Sequence, residues 1–263
     1  MLTGTIPSRH GIHDWIRRGN YDVEKDGPDA RLESLRGQSG YIEMLPAEGY
    51  DCAISGKWHL GDAHRIQKGF SFWEVHAEGG GPYFNALVIS RGEIGYDPGY
   101  IMDAITDHAL DFLRTRPGKQ TPFYLGVHST ALHSPWDRQN HPSAVYDRYY
   151  NNCAFASLPL GLVPLCWVKG VSIPVNTMEK RRANLSEYNV AVEEMDHNVG
   201  RIIDWLEAHG MREKTLLVFL SDNGMNMGHH GVYGKGNATL PLNIFEESVR
   251  IPFIVSCPGT IQD

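Results

Sequence analysis

The chain has 263 residues, 41% of them hydrophobic and 21% charged, with a formal net charge of −7. That length buries a sizeable core, and the composition excludes disordered, collagenous and coiled-coil chains. Lys and Arg number 24 against 31 Asp and Glu with no basic block, so no nucleic-acid partner is expected. Met1-Leu2-Thr3-Gly4 has neither the charged start nor the apolar stretch of a signal peptide. Asp51–Ser55 is a short β-prone run that stops at Gly56, and Phe84–Ser90 and Pro122–His128 are two more strands. Ile101–Arg114 reads as a helix ending before Pro117. His141–Thr177 carries Pro142, Pro159, Pro164 and Pro174 with little periodicity, and marks an irregular surface excursion over about 138–180.

Asn184–His209 is the clearest helix. Val192, Met195, Val199, Ile202 and Leu206 recur at steps of three and four, which predicts a core-facing stripe, and Gly210 sits at the C-cap. Thr215–Ser221 is the strongest strand, with Leu216, Leu217, Val218, Phe219 and Leu220 consecutive. Ile251–Ser256 is the last strand, followed by a Cys257-Pro258-Gly259 turn. Unbroken apolar runs suit strands buried on both faces of a parallel sheet. Strands alternating with helices predict an α/β fold, a mostly parallel sheet with helices on both faces, in one domain over 1–263. No apolar run approaches the roughly 18 residues of a membrane span. Cys52, Cys153, Cys166 and Cys257 form no CxxC pair, which argues against a disulfide scaffold or a zinc cluster.

Three clusters carry chemistry, each directly after a predicted strand, where ligands of open α/β sheets bind. The first is Gly56-Lys57-Trp58-His59-Leu60-Gly61. Residues two apart in extended chain project to one side, so Lys57 and His59 can hold an anion and move a proton; the plainer reading is a solvated lysine beside a packed histidine. The second is the loop 128–136, with His133 ahead of a Ser-Pro turn, either a site residue or a satisfied structural histidine. The third is Ser221-Asp222-Asn223-Gly224, followed by His229, His230 and Lys235. Asp222 and Asn223 offer adjacent hard oxygens of the kind calcium and magnesium take, although Asp-Asn-Gly alone is also a turn. Together the clusters suit an ester of sulfate or phosphate, with lysines and a metal stabilising charge and a histidine protonating the leaving oxygen. Trp15, Trp73 and Trp136 are candidates to stack on a sugar or aryl group, or for burial.

At this point the chain resembles the type I sulfatases of the alkaline-phosphatase-like superfamily, over nearly its whole length. Leu2-Thr3-Gly4 with Pro7, Arg9, His10 and Gly11 looks like the end of the family's N-terminal signature. Gly49-Tyr50-Asp51 through Gly61 looks like its second signature, and His133-Ser134-Pro135 is similar to its middle histidine motif, with Leu132 where Pro is usual. Ser221–Gly224, Gly228–Gly231, Gly234-Lys235-Gly236 and Val249-Arg250-Ile251-Pro252 look like its later metal and lysine region.

The resemblance implies a three-layer α/β sandwich, incomplete here, and hydrolysis of a sulfate ester to alcohol and sulfate. It implies Asp222 and Asn223 as Ca2+ ligands, Lys57 and His59 beside the nucleophile, and His133 and Lys235 on the sulfate and leaving group. His229 and His230 take no role from the resemblance and are candidates to line the substrate pocket. It implies a sulfated small molecule or carbohydrate as partner, and a periplasmic, secreted or lysosomal location. The family's nucleophile is a formylglycine made in a C/S-x-P-S-R motif ahead of Leu-Thr-Gly, which would fall upstream of Met1. Thr5-Ile6-Pro7-Ser8-Arg9 has the P-S-R ending but follows Leu-Thr-Gly, and Thr does not yield an aldehyde by the same oxidation. The expectation is therefore a catalytic core truncated at both ends, inactive as written, with an incomplete metal site and unpaired sheet edges. A phosphodiesterase or phosphonate hydrolase of the same superfamily, and a non-catalytic binder of sulfated glycans, are the alternatives.

Overall fold

A computed structural model describes residues 2–13, 34–35, 37–76, 79–161 and 175–261. Trp15, Cys166, Pro164 and Pro174 lie outside the described residues. In chain order the elements are α1 (Pro7–His10), α2 (Tyr41–Ala47), β1 (Asp51–Lys57), β2 (Phe72–His76), β3 (Phe84–Ser90), β4 (Glu93–Tyr100), α3 (Ile101–Arg114) and β5 (Phe123–His128). Then come α4 (Ser143–Asn152), α5 (Met178–Ala208), β6 (Leu217–Leu220), β7 (Asn226–Met227), β8 (Tyr233–Gly234), α6 (Glu246–Val249) and β9 (Phe253–Ser256). The chain groups into two compact units, 1–135 with 192–202, and 136–191 with 203–263.

The first unit is built on a five-stranded sheet of order β4-β3-β2-β1-β5. Its centre is parallel: β1 pairs with β2 and with β5. Cys52 through Gly56 are all buried, as a run without polar alternation predicts for a strand covered on both faces. β3 and β4 complete the sheet as antiparallel neighbours, so the apolar run 84–90 lies in the mixed part of it.

Helix α3 has the predicted bounds and buries Ile101, Met102, Ile105, Ala109, Leu110, Phe112 and Leu113. The Ser55 hydroxyl, in mid-β1, donates to the Ile105 carbonyl at 2.7 Å, tying the helix to the central strand. Arg116, past the helix end, pairs with Asp51 at 2.6 Å and lies over the Phe112 ring. One core cluster joins Ile54, Trp58, Phe70, Trp73 and Val75; another joins Tyr83, Val88, Tyr100, Ile101 and Ile105. Trp73 is thus a core residue.

The second unit contains α4, a ten-residue helix inside the stretch expected to be irregular. Helix α5 begins at Met178, six residues before its predicted start, because Thr177 caps it: the hydroxyl accepts from the Lys180 N–H at 3.1 Å. Its predicted stripe is only partly a core face. Leu206 is buried, but Val192 is exposed, and the buried positions upstream are Arg181, Leu185, Ser186, Glu187, Val190 and Ala191. A helix that meets different neighbours along its length changes its buried face, which one periodic stripe does not record.

Strand β6 departs further from expectation. It pairs antiparallel with β9 in a two-stranded ribbon, and Leu216 and Val218 are 59% and 43% exposed. Phe253 on β9 is 68% exposed. Consecutive apolar residues record hydrophobicity, whereas burial on both faces needs a layer on each, and among the described residues each strand of the ribbon has one strand partner.

Candidate active site

In the first unit the site begins where β1 ends. Trp58 inserts into the core edge-on to Trp73, ring centroids 5.0 Å apart. Side chains alternate along extended chain, so burial of Trp58 leaves Lys57 and His59, both half-buried, directed away from that core. The β1–β5 register sets Gly56 opposite His128, and the His128 Nδ1 lies 3.1 Å from the Lys57 carbonyl oxygen. A carbonyl only accepts, so Nδ1 carries the hydrogen. Desolvation lowers the His128 pKa. His128 therefore fixes the backbone of Lys57.

His133 follows β5 on the same sheet. Its N–H donates to the Thr130 carbonyl at 3.0 Å, and its own carbonyl accepts from the buried Tyr83 hydroxyl at 2.8 Å. Its Nδ1 sits 2.7 Å from the Ser134 carbonyl oxygen, which only accepts, so Nδ1 carries a hydrogen. Three consecutive glycines meet these rings. A Cβ at Gly79 would lie 2.4 Å from three atoms of the His59 ring. A Cβ at Gly80 would lie 3.4 Å from the His133 ring, and one at Gly81 would lie 3.2 Å from the ring of His76, the residue paired with Lys57 across β1 and β2. His59, His133 and His76 thus meet one glycine run beyond the carboxyl ends of adjacent parallel strands, and Lys57 lies in register with His76. Tyr83, His76 and the glycines are additions to the residues expected from the sequence. The run Gly79-Gly80-Gly81 was visible in the sequence; its contacts were not.

The second unit holds the remaining candidates. Asp222 is exposed. The Asn223 Nδ2 donates to the Gly224 carbonyl at 2.8 Å, which directs its Oδ1 elsewhere. The His229 Nδ1 accepts a long 3.5 Å bond from the Met227 N–H. His230 lies 3.1 Å from a Glu247 oxygen and stacks on Phe245. Hydrogen bonds with the backbone around it and with His230 outweigh desolvation and lower the Glu247 pKa. His230 is thus engaged by Glu247.

Lys235 follows β8 in a loop held from below by a buried polar network. The Asn226 Nδ2 donates to the Gly234 carbonyl at 3.1 Å and to the Ser248 Oγ at 2.6 Å. The Ser248 hydroxyl donates to the Asn243 Oδ1 at 2.6 Å, and the Asn243 Nδ2 donates to the Gly236 carbonyl at 3.2 Å. Isolated Asn and Ser residues gave no signal of this network in the sequence. A Cβ at Gly224 would lie 2.2 Å from the Glu247 carbonyl oxygen, so the turn after Asp222 and Asn223 packs directly on α6.

Asp222 and Asn223 match calcium in donor type, but calcium takes 6–8 oxygens. No group of three or more His, Cys, Asp or Glu side chains placed to hold a metal occurs among the described residues. Two side-chain oxygen donors fall well short of such a shell. Thr5 does not fit a formylglycine: it precedes the single helical turn of α1, and a secondary alcohol is not an aldehyde precursor.

The first unit is thus a mixed α/β sheet with a parallel centre, and Lys57, His59 and His133 follow the carboxyl ends of its parallel strands β1 and β5. The chain belongs to the sulfatase family, whose family model, Sulfatase, matches residues 1–263. It is 27% identical over 231 residues to an ulvan-active sulfatase of Formosa agariphila, covering 82% of this chain and 40% of that protein. It is 24% identical to an N-acetylglucosamine-6-O-sulfatase of Bacteroides thetaiotaomicron, covering 100% of this chain and 54% of that one. The chain therefore spans about half the length of the curated relatives it matches. A solved structure in complex with its substrate, D-glucosamine-2-N,6-O-disulfate, superposes with a TM-score of 0.74 at 22% identity, over 99% of this chain and 60% of that one. A sulfatase structure from Bacteroides fragilis gives the same TM-score over 99% of this chain and 57% of its own. These two share the fold. Among the described residues no helix is long and apolar enough to cross a membrane.

Proposed function

We propose that this chain is the catalytic core of an enzyme that hydrolyses a sulfate ester of a carbohydrate to an alcohol and sulfate. The observation that carries this is the placement of His59 and His133 against one glycine run beyond the ends of adjacent parallel strands, with Lys57 at the end of β1 two residues before His59. The Lys57 ammonium attracts the sulfate and stabilises charge on its oxygens. His133, with Nδ1 tied to the Ser134 carbonyl, presents Nε2 as the acid that protonates the departing sugar oxygen. Lys235 is a second cation for the sulfate and leaving group, and His229 and His230 line the substrate pocket. His59 is a base. The formylglycine expected of the family would supply the nucleophile; the roles above belong to this chain's own residues. Asp222 and Asn223 are proposed as this chain's share of a Ca2+ site. A carbohydrate substrate is favoured because the relatives' names include ulvan-active, N-acetylglucosamine-6-O- and N-acetylgalactosamine-6-sulfatases. A periplasmic, secreted or lysosomal location goes with the same reading.

The test is turnover of N-acetylglucosamine 6-sulfate and of 4-nitrophenyl sulfate by the full-length gene product and by its Lys57→Ala and His133→Ala variants. Each variant should lose about 10²-fold or more in kcat with its melting temperature little changed. Unchanged rates would remove both residues from the chemistry. A preference for an aryl phosphodiester would move the reading to phosphorus esters.

A further inference from the structure

The glycine run raises a separate question, because three consecutive residues each place bare backbone against an imidazole. The degree of approach differs. At Gly79 a methyl group would sit 2.4 Å from Cγ, Cδ2 and Cε1 of His59, inside contact distance of the ring as a whole. At Gly81 it would sit 3.2 Å from Cε1 and 3.3 Å from Nε2 of His76. At Gly80 it would make ordinary contact, 3.4 Å from Cε1 and 3.5 Å from Nδ1 of His133. None of the three has a positive φ, so the need for glycine at 79 and 81 comes from packing and not from backbone conformation.

The surroundings are fixed. His76 is buried at 2% exposure and is held in register beside Lys57 by the β1–β2 pairing. His133 is pinned through its carbonyl by the Tyr83 hydroxyl, and Tyr83, only two residues beyond Gly81, is 1% exposed. The run is thus anchored at its downstream end by a buried aromatic that also holds one of the histidines it touches.

We propose that Gly79-Gly80-Gly81 is a positioning strap for the imidazoles of the site, with Gly79 setting the orientation of His59. This rests on the proposed role of His59. A peptide backbone laid over one face of the ring closes that face to solvent and substrate and limits rotation about χ2. Only the ring edge is then offered to the reacting group. A side chain at 79 would have to rotate or displace the ring, and a displacement of about 1 Å is enough to cost about 10²-fold in rate.

The experiment uses the full-length protein and three single variants, Gly79→Ala, Gly80→Ala and Gly81→Ala. With 4-nitrophenyl sulfate as substrate, Gly79→Ala should lower kcat by about 10²-fold with KM within a few-fold, and Gly80→Ala, whose methyl group would meet the His133 ring only at ordinary contact distance, should lose less. In parallel, proteins labelled at histidine are read by NMR. The His59 resonance, assigned by its loss in His59→Ala, should shift in Gly79→Ala, and the His133 resonance should shift less. Melting temperature supplies a readout independent of turnover: the loss caused by Gly79→Ala should largely vanish when His59 is already alanine, since the ring it strikes is gone. An equal loss in both backgrounds, or an unshifted His59 resonance, overturns the strap. Absence of sulfatase turnover in the parent would instead refute the functional reading, and the resonance and melting measurements would still decide the strap.

Discussion

Gly56 and His128 face each other across the parallel pair β1–β5, and a Cβ at position 56 would lie 2.1 Å from the His128 carbonyl oxygen. The φ of Gly56 is also +108°, a region that side chains other than hydrogen rarely adopt. Both requirements meet one residue before Lys57. Gly56→Ala should therefore separate the two central strands and cost roughly 3 kcal/mol or more in urea unfolding. A midpoint within error of the parent would mean that the strands absorb the clash.

The buried network under Lys235 makes a second expectation. Asn226 is fully buried and donates to Gly234 and Ser248, while its Oδ1 has no hydrogen-bond partner. Asn226→Ala leaves the Gly234 carbonyl and Ser248 hydroxyl each short of a partner, at a cost of about 1–3 kcal/mol. In a double-mutant cycle with Ser248→Ala the two losses should be sub-additive by about 1 kcal/mol or more. Strict additivity would show that the two side chains do not act as one network.

Glu187 sets a pH dependence. It is 3% exposed on α5, and one carboxyl oxygen has no hydrogen-bond partner. Burial, reinforced by the nearby charge of Asp137, pushes its pKa up to about 8. A folded-state pKa above the unfolded one means stability is fully present below about pH 4.5 and is lost as pH rises through about 8. Glu187→Gln should abolish that loss and be more stable than the parent at pH 9, by on the order of 2–4 kcal/mol. Parallel curves of melting temperature against pH for the two proteins would sink the assignment.

His141, also in the second unit, acts in the opposite direction. Burial pushes its pKa down to about 4, although Asp137 favours the charged form. Its contribution is present above about pH 6.5 and is lost as pH falls through about 4. The parent should therefore lose stability on the acid side as well, and His141→Gln should lessen the acid loss without touching the alkaline one. An acid limb unchanged in His141→Gln would assign it to other groups.

For the chemistry, Lys235→Ala in the full-length enzyme should reduce kcat by about 10²–10³-fold while the melting temperature moves little, since the loop is held by Asn226, Asn243 and Ser248 and not by the lysine side chain. Near-normal turnover would refute the role proposed for Lys235.

The sequence by itself determined the elements whose signal is local. Helix α3 has the predicted bounds because its apolar period and the proline after it are both short-range, and β1, β3 and β5 appear as uninterrupted β-prone runs. The motif residues Lys57, His59 and His133 were legible too, because glycines and strand ends mark them in the chain. Tertiary structure alone decided what lies across from what. β6 looked like the deepest strand and lies in a half-covered ribbon with β9, because cover comes from neighbours distant in sequence. The stripe on α5 likewise met different partners along its length. The fit of Gly79 against His59, the hold of Tyr83 on His133 and the Asn226–Ser248–Asn243 network all join residues between 5 and 50 positions apart. Composition and periodicity carry the free energy of burying a side chain, but steric fit and hydrogen-bond satisfaction exist only once the backbone has brought the partners together.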